Sequence, residues 1–116
     1  MTVLDRDDNE VGELAPGVAR IEIVNGKLGA ESLTISEVTI SPGARAPTHT
    51  HPTEEAMVIL DGELDAVLGD EIIPVTQGKT VLAPAGVKHG FINRSDSAAR
   101  LYGVFPTSNV ERTLVD

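Results

Sequence analysis

All three histidines of this 116-residue sequence fall in two short stretches: His49 and His51 in one, His89 in the other. An imidazole trades protons near neutral pH and, when neutral, is a common nitrogen ligand for transition metals. In an extended strand, side chains alternate between faces, so the two-residue spacing of His49 and His51 puts both rings on one side. Glu55 has the same parity and can join them across the bend at Pro52-Thr53. Its neighbour Glu54 has the opposite parity and is expected to face solvent. Two imidazoles and a carboxylate converging from one face leave open positions on a metal ion. His89, arriving on a neighbouring strand, would complete a set of three nitrogens and one oxygen. Cysteine is absent, which excludes thiol nucleophiles, disulfides, iron–sulfur clusters and thiolate zinc sites.

The elements that must position these residues read as strands. Residues 18–24 are β-branched and partly alternating, and Asn25-Gly26 closes them as a turn. Leu33, Ile35, Val38 and Ile40 alternate with one slip of phase near Glu37, which predicts a bulge or bend there. Residues 55–60 form the next strand, with Asp61-Gly62 read as a hairpin turn returning through residues 63–68. Gly69-Asp70 turns the chain into residues 71–76, and residues 80–83, 87–93 and 99–105 complete the set. Residues 1–16 carry no period and read as an acidic N-terminal arm, with Val3 and Leu4 available to a sheet edge. No window has clean helical periodicity, so the pattern predicts an all-β sandwich or barrel.

A hydrophobic share of 41% and a charged share of 23% are globular values, and the length suits one domain over residues 1–116. Eighteen acidic residues against nine basic ones leave a formal net charge of −9. Such a chain is repelled by phosphate backbones and anionic lipid, so neither nucleic acid nor membrane is an expected partner. The longest aliphatic run, residues 56–60, is far short of a membrane span. The first residues lack the basic start and apolar core of a secretory signal, so the expected location is cytoplasmic.

The two histidine segments resemble the paired motifs of the cupin superfamily. Gly43, His49, His51, Glu55 and Gly62 match G-x5-H-x-H-x3-E-x6-G over residues 43–62 without a gap. Gly78, Pro84, Gly86, His89 and Asn93 match G-x5-P-x-G-x2-H-x3-N over residues 78–93. The resemblance implies a double-stranded β-helix, or jelly-roll barrel. It implies that His49, His51, Glu55 and His89 ligate one divalent transition metal per chain, with Fe, Mn, Ni, Co, Cu and Zn not distinguished. It further implies a homodimer, often with exchanged N-terminal strands, a role the arm could fill. Asn93 is not a ligand in the pattern and is expected to start a polar turn by bonding nearby backbone.

Parity also predicts what surrounds the site. Met57 and Ile59 share the face of Glu55, and Phe91 that of His89. They are either barrel core or the apolar wall of a substrate pocket. Arg45 and Lys88 flank the histidines and are either surface cations or anchors for an anionic substrate. Tyr102, the single tyrosine, is a candidate general acid or a packing residue. The functional expectation is a metal-dependent enzyme acting on a small organic molecule. An Fe(II)- or Mn(II)-type dioxygenase stands first and a non-redox isomerase, cyclase or lyase second. A non-catalytic ligand-sensing module is the alternative from another class.

Overall fold

β-branched segments separated by glycine and proline turns assemble into two antiparallel sheets in the computed structural model, which describes residues 2–115. One sheet contains β1 (Val11–Ala15), β2 (Val18–Val24), β3 (Thr34–Ile40), β5 (Glu55–Asp61), β8 (Thr80–Ala83) and β10 (Ala99–Phe105), in the order β1-β2-β3-β10-β5-β8. The other contains β4 (Arg45–Thr50), β6 (Glu63–Leu68), β7 (Glu71–Thr76), β9 (His89–Ile92) and β11 (Thr113–Leu114), in the order β11-β4-β9-β6-β7. Strands β5 and β10 alternate buried and half-buried residues along almost their whole length, as sheets packed on one face must. Their inward side chains Met57, Ile59 and Leu101 meet Leu64, Ala66 and Phe91 of the opposite sheet and Ile40 of β3. The chain is a jelly-roll barrel of all-β class.

Three details differ from the sequence expectation. Asp61-Gly62 does not close a hairpin: β5 pairs with β10 and β8, whereas β6 pairs with β7 and β9. The turn instead carries the chain from one sheet to the other. Gly62 has φ +82°, and a Cβ there would stand 2.9 Å from the Ala98 oxygen and from Ala99 Cα. The turn signal was therefore real, but its residue serves a crossover packed against β10.

There is also no bulge at Glu37. Strand β3 pairs with β10 without a break from Thr34↔Phe105 to Ile40↔Ala99, and the irregularity lies in β2, between Glu22 and Val24. The inward residues of β3 are Thr34, Ser36, Val38 and Ile40. The first two are polar because that end of the strand lines a cavity. Glu37 points out and is buried beneath Arg6 and Arg100, which both pair with its carboxylate.

Within the arm, Val3 and Leu4 are exposed and unstranded, and the sheet edge is supplied by β1, which pairs with β2 of its own chain. Asn93 forms the expected polar turn and does more. Its Oδ1 accepts from the Ser95 amide (3.0 Å) and hydroxyl (2.7 Å), while its Nδ2 donates to the Ile40 and Ser97 carbonyls, both at 2.9 Å.

Candidate metal centre

The barrel brings both motif segments to one point. His49 lies on β4 directly across from His89 at the start of β9. His51 follows β4, and Glu55 opens β5 in the facing sheet. One potential ligand atom from each of these four residues lies within 4.8 Å of the others. The imidazole centroids are 4.5 Å apart for His49 and His89, 4.8 Å for His49 and His51, and 5.3 Å for His51 and His89. His51, Glu55 and His89 are buried and His49 is half-buried, while Glu54 is exposed as its parity predicts.

Backbone carbonyls decide which nitrogen of each ring faces the centre. His49 Nδ1 lies 2.8 Å from the Pro47 oxygen, His51 Nδ1 2.7 Å from the Glu111 oxygen, and His89 Nδ1 3.0 Å from the Val87 oxygen. A carbonyl oxygen only accepts, so each Nδ1 carries a hydrogen and each Nε2 is directed inward. Glu55 Oε1 sits 2.8 Å from His89 Nε2 and 3.4 Å from His51 Nε2. His51 Nε2 is fully buried and has no hydrogen-bond partner. A buried lone pair facing a carboxylate is costly unless a cation lies between them. The four residues therefore fit a divalent metal ion, with nitrogen and oxygen donors only.

The electrostatics suit ligation. Burial, reinforced by the neighbouring His89 and His51, outweighs the Pro47 carbonyl and lowers the His49 pKa to about 4, so its ring is neutral near pH 7. Burial opposes charge on Glu55 and His89 as well. The imidazoles beside Glu55 nevertheless hold its carboxyl below the ordinary range, and its carboxylate, with the Val87 carbonyl, holds His89 above its own. Without metal, a proton shared by His89 and Glu55 takes up part of the charge that a cation would otherwise balance.

A cavity of about 700 Å³ opens onto His49, His51 and Glu55. Val38, Met57, Phe91, Leu101 and Phe105 form its apolar wall, and Phe105 meets the His51 ring edge-on at a centroid distance of 4.8 Å. Of the anticipated pocket residues, Met57 and Phe91 line this cavity, whereas Ile59, one turn of the pleat farther from Glu55, is sealed in the core. Tyr102 alternates with Leu101 and Gly103 on β10, so it faces away from the cavity. Arg45 is exposed and outside the lining, and Lys88 is exposed beside Asp70, 3.7 Å away.

The polar part of the lining had no motif to announce it. Ser36 donates to Glu22 (2.9 Å), and Arg20 pairs with the same carboxylate oxygen at 3.1 Å. The C-terminal segment contributes Ser108, Asn109, Val110 and Arg112. It is tied down by the β11–β4 ladder, by Val115 N–H to the Thr48 oxygen (3.0 Å) and by Gly26 N–H to the Ser108 oxygen (2.9 Å). The Glu111 carbonyl that orients His51 belongs to this strap.

Comparison with known proteins agrees with the architecture. The cupin domain model matches residues 36–105. The chain is 31% identical over 96 residues to protein SchB of Streptomyces halstedii, covering 82% of this chain and 70% of that one. It is 28% identical over 100 residues to polyketide synthase CurC of Streptomyces cyaneus, covering 85% of this chain and 65% of that protein's length. Among solved structures, the polyketide cyclase RemF from Streptomyces resistomycificus superposes with a TM-score of 0.81 at 23% identity, covering 100% of this chain and 87% of the other. With more than half its residues matched by the family model and both histidine segments folded into one site, the chain belongs to the cupin domain family.

Proposed function

We propose that this cupin is a metal-dependent enzyme that cyclises or isomerises a small, largely apolar carbonyl compound without redox chemistry. The observation that carries the reading is the buried, unpartnered Nε2 of His51, within a four-residue group beside a cavity that has an apolar wall. His49, His51, Glu55 and His89 would hold the ion, and a divalent metal there supplies Lewis-acid polarisation of a carbonyl or enolate oxygen. The chain's own side chains do the rest. Val38, Met57, Phe91, Leu101 and Phe105 exclude water and orient an apolar body. Ser36 donates its proton to Glu22 and so offers only acceptor lone pairs to a bound molecule.

The preference for non-redox chemistry over the dioxygenase draws support from the relatives, one named a polyketide synthase and one a polyketide cyclase. The homodimer and the divalent ion of unassigned identity are part of the same proposal, tested by sedimentation velocity and by elemental analysis of the purified protein. The reaction class is tested with enolisable polyketones in deuterated water. Exchange next to the carbonyl, or cyclisation without oxygen consumption, supports the reading. Substrate-dependent oxygen uptake would overturn it in favour of a dioxygenase.

A further inference from the structure

The cavity's outer end has a chemistry its inner end lacks. His51, Glu55, Met57 and Phe91 are buried, whereas Lys27 and Arg112 are exposed and line the same space, which places them at its mouth. They come from distant segments, the Gly26–Leu28 3-10 turn and the C-terminal strap, which the Gly26–Ser108 hydrogen bond holds together. The molecule has twice as many acidic as basic side chains. Arg6, Arg20, Lys88, Arg94 and Arg100 are each engaged by a carboxylate. Lys27, Lys79 and Arg112 make no ion pair among the described residues, despite a surplus of partners, and of these three only Lys27 and Arg112 line the cavity. Two rim carboxylates also line the cavity. Glu22 is occupied by Arg20, Ser36 and Asn25, which leaves Glu13.

We infer that Lys27 and Arg112 form an anion-binding mouth, so that the molecule entering this cavity carries an oxyanion of carboxylate or phosphate type at the end remote from the histidines. This deepens the proposed function and rests on it for the apolar body and the reacting end. Lysine and arginine are donors only, and arginine's fork matches a two-oxygen anion. At a solvated rim each contact is weak alone, but two cations on one anion discriminate charged from neutral ligands by about tenfold.

Two fluorescent probes with nearly the same apolar body test this: anilinonaphthalene sulfonate, an anion, and neutral N-phenylnaphthylamine. Both are titrated into the wild-type protein, the Lys27→Ala/Arg112→Ala variant, and a Lys79→Ala/Lys88→Ala control that removes the same charge away from the cavity. The expected result is an about tenfold weaker Kd for the sulfonate in the Lys27→Ala/Arg112→Ala variant, with the neutral probe within about twofold and the control unchanged. Naphthoate and naphthyl phosphate, competed against naphthol, then show which oxyanion the mouth prefers. An equal loss for both probes, no loss for either, or the same loss in the control would overturn the inference. Metal content is measured on the same samples. A wild-type protein that binds no metal would sink the proposed function while the probe titrations still decide the mouth.

Discussion

Gly103 and Glu55 stand so close that a Cβ on Gly103 would lie 2.7 Å from Glu55 Oε2. Strand β10 runs beside β5 with Gly103 opposite Met57, and the missing side chain is the room the carboxylate occupies. Gly103→Ala would force Glu55 away from His89. The expected outcome is a loss of metal affinity of about 10- to 100-fold, the usual cost of disturbing a ligand's support. Overpacking should cost about 1–3 kcal/mol of stability as well. Competition with a chromogenic chelator, read beside thermal melts, separates the two effects; unchanged metal affinity would mean Glu55 is not held by this contact.

Metal should stabilise the fold through His51. At a free metal concentration 100 times Kd, binding to the native state alone adds about 2.7 kcal/mol. Chelator should therefore lower the melting temperature of the wild-type protein and leave that of His51→Ala unmoved. A chelator-insensitive wild-type melt would argue against a bound ion.

Proton competition sets the pH dependence of metal binding. Ligation needs neutral imidazoles. His49 is held to about pKa 4 and offers no competing proton near neutrality, whereas His89, raised above 6.5, does. Metal affinity should thus keep rising with pH beyond 6.5, by one proton's worth until His89 is neutral. In the metal-free protein the signs differ by group. The His89 contribution to stability is full below pH 6.5 and is lost as pH rises through its folded pKa. The His49 contribution is present above 6.5 and is lost as pH falls toward 4. Calorimetric metal titrations from pH 5 to about 8 check the first statement, and a flat affinity would contradict it.

The strap should act on the metal without acting on the core. Thr113→Pro removes a ladder amide from β11, loosening the segment whose Glu111 carbonyl lies 2.7 Å from His51 Nδ1. Metal affinity is expected to fall by about 10- to 100-fold. Glu111→Ala, which keeps the main-chain oxygen, should bind metal as the wild type does. Amide exchange of residues 113–115, slowed by metal in the wild type, gives a second readout. Equal metal affinity in the proline variant would free His51 from the strap.

Strand parity, together with the two motifs shared with cupins, made the four candidate ligands legible. His49, His51 and Glu55 share strand parity, and no cysteine or further histidine competes with them. The strand signals were equally local, so most of β2, β5–β8 and β10 could be read directly. Partner choice could not. Asp61-Gly62 signals a tight turn whether its strands pair or part, and only the packing against Ala98 and Ala99 shows that they part. The phase slip in β3 misled because Thr34 and Ser36 are polar yet inward, which only the cavity explains.

Residue type and short-range spacing thus placed His49, His51 and Glu55 on one face and set the all-β class, because both depend on the alternation of neighbouring side chains, and His89 joined them through the second motif. The rest is long-range. The hydrogen on His51 Nδ1 is decided by a carbonyl 60 residues away, the space for Glu55 by a glycine in another strand, and the cavity mouth by two segments at opposite ends of the chain. Closure of the barrel brings these groups together, and no local pattern encodes which distant backbone will arrive.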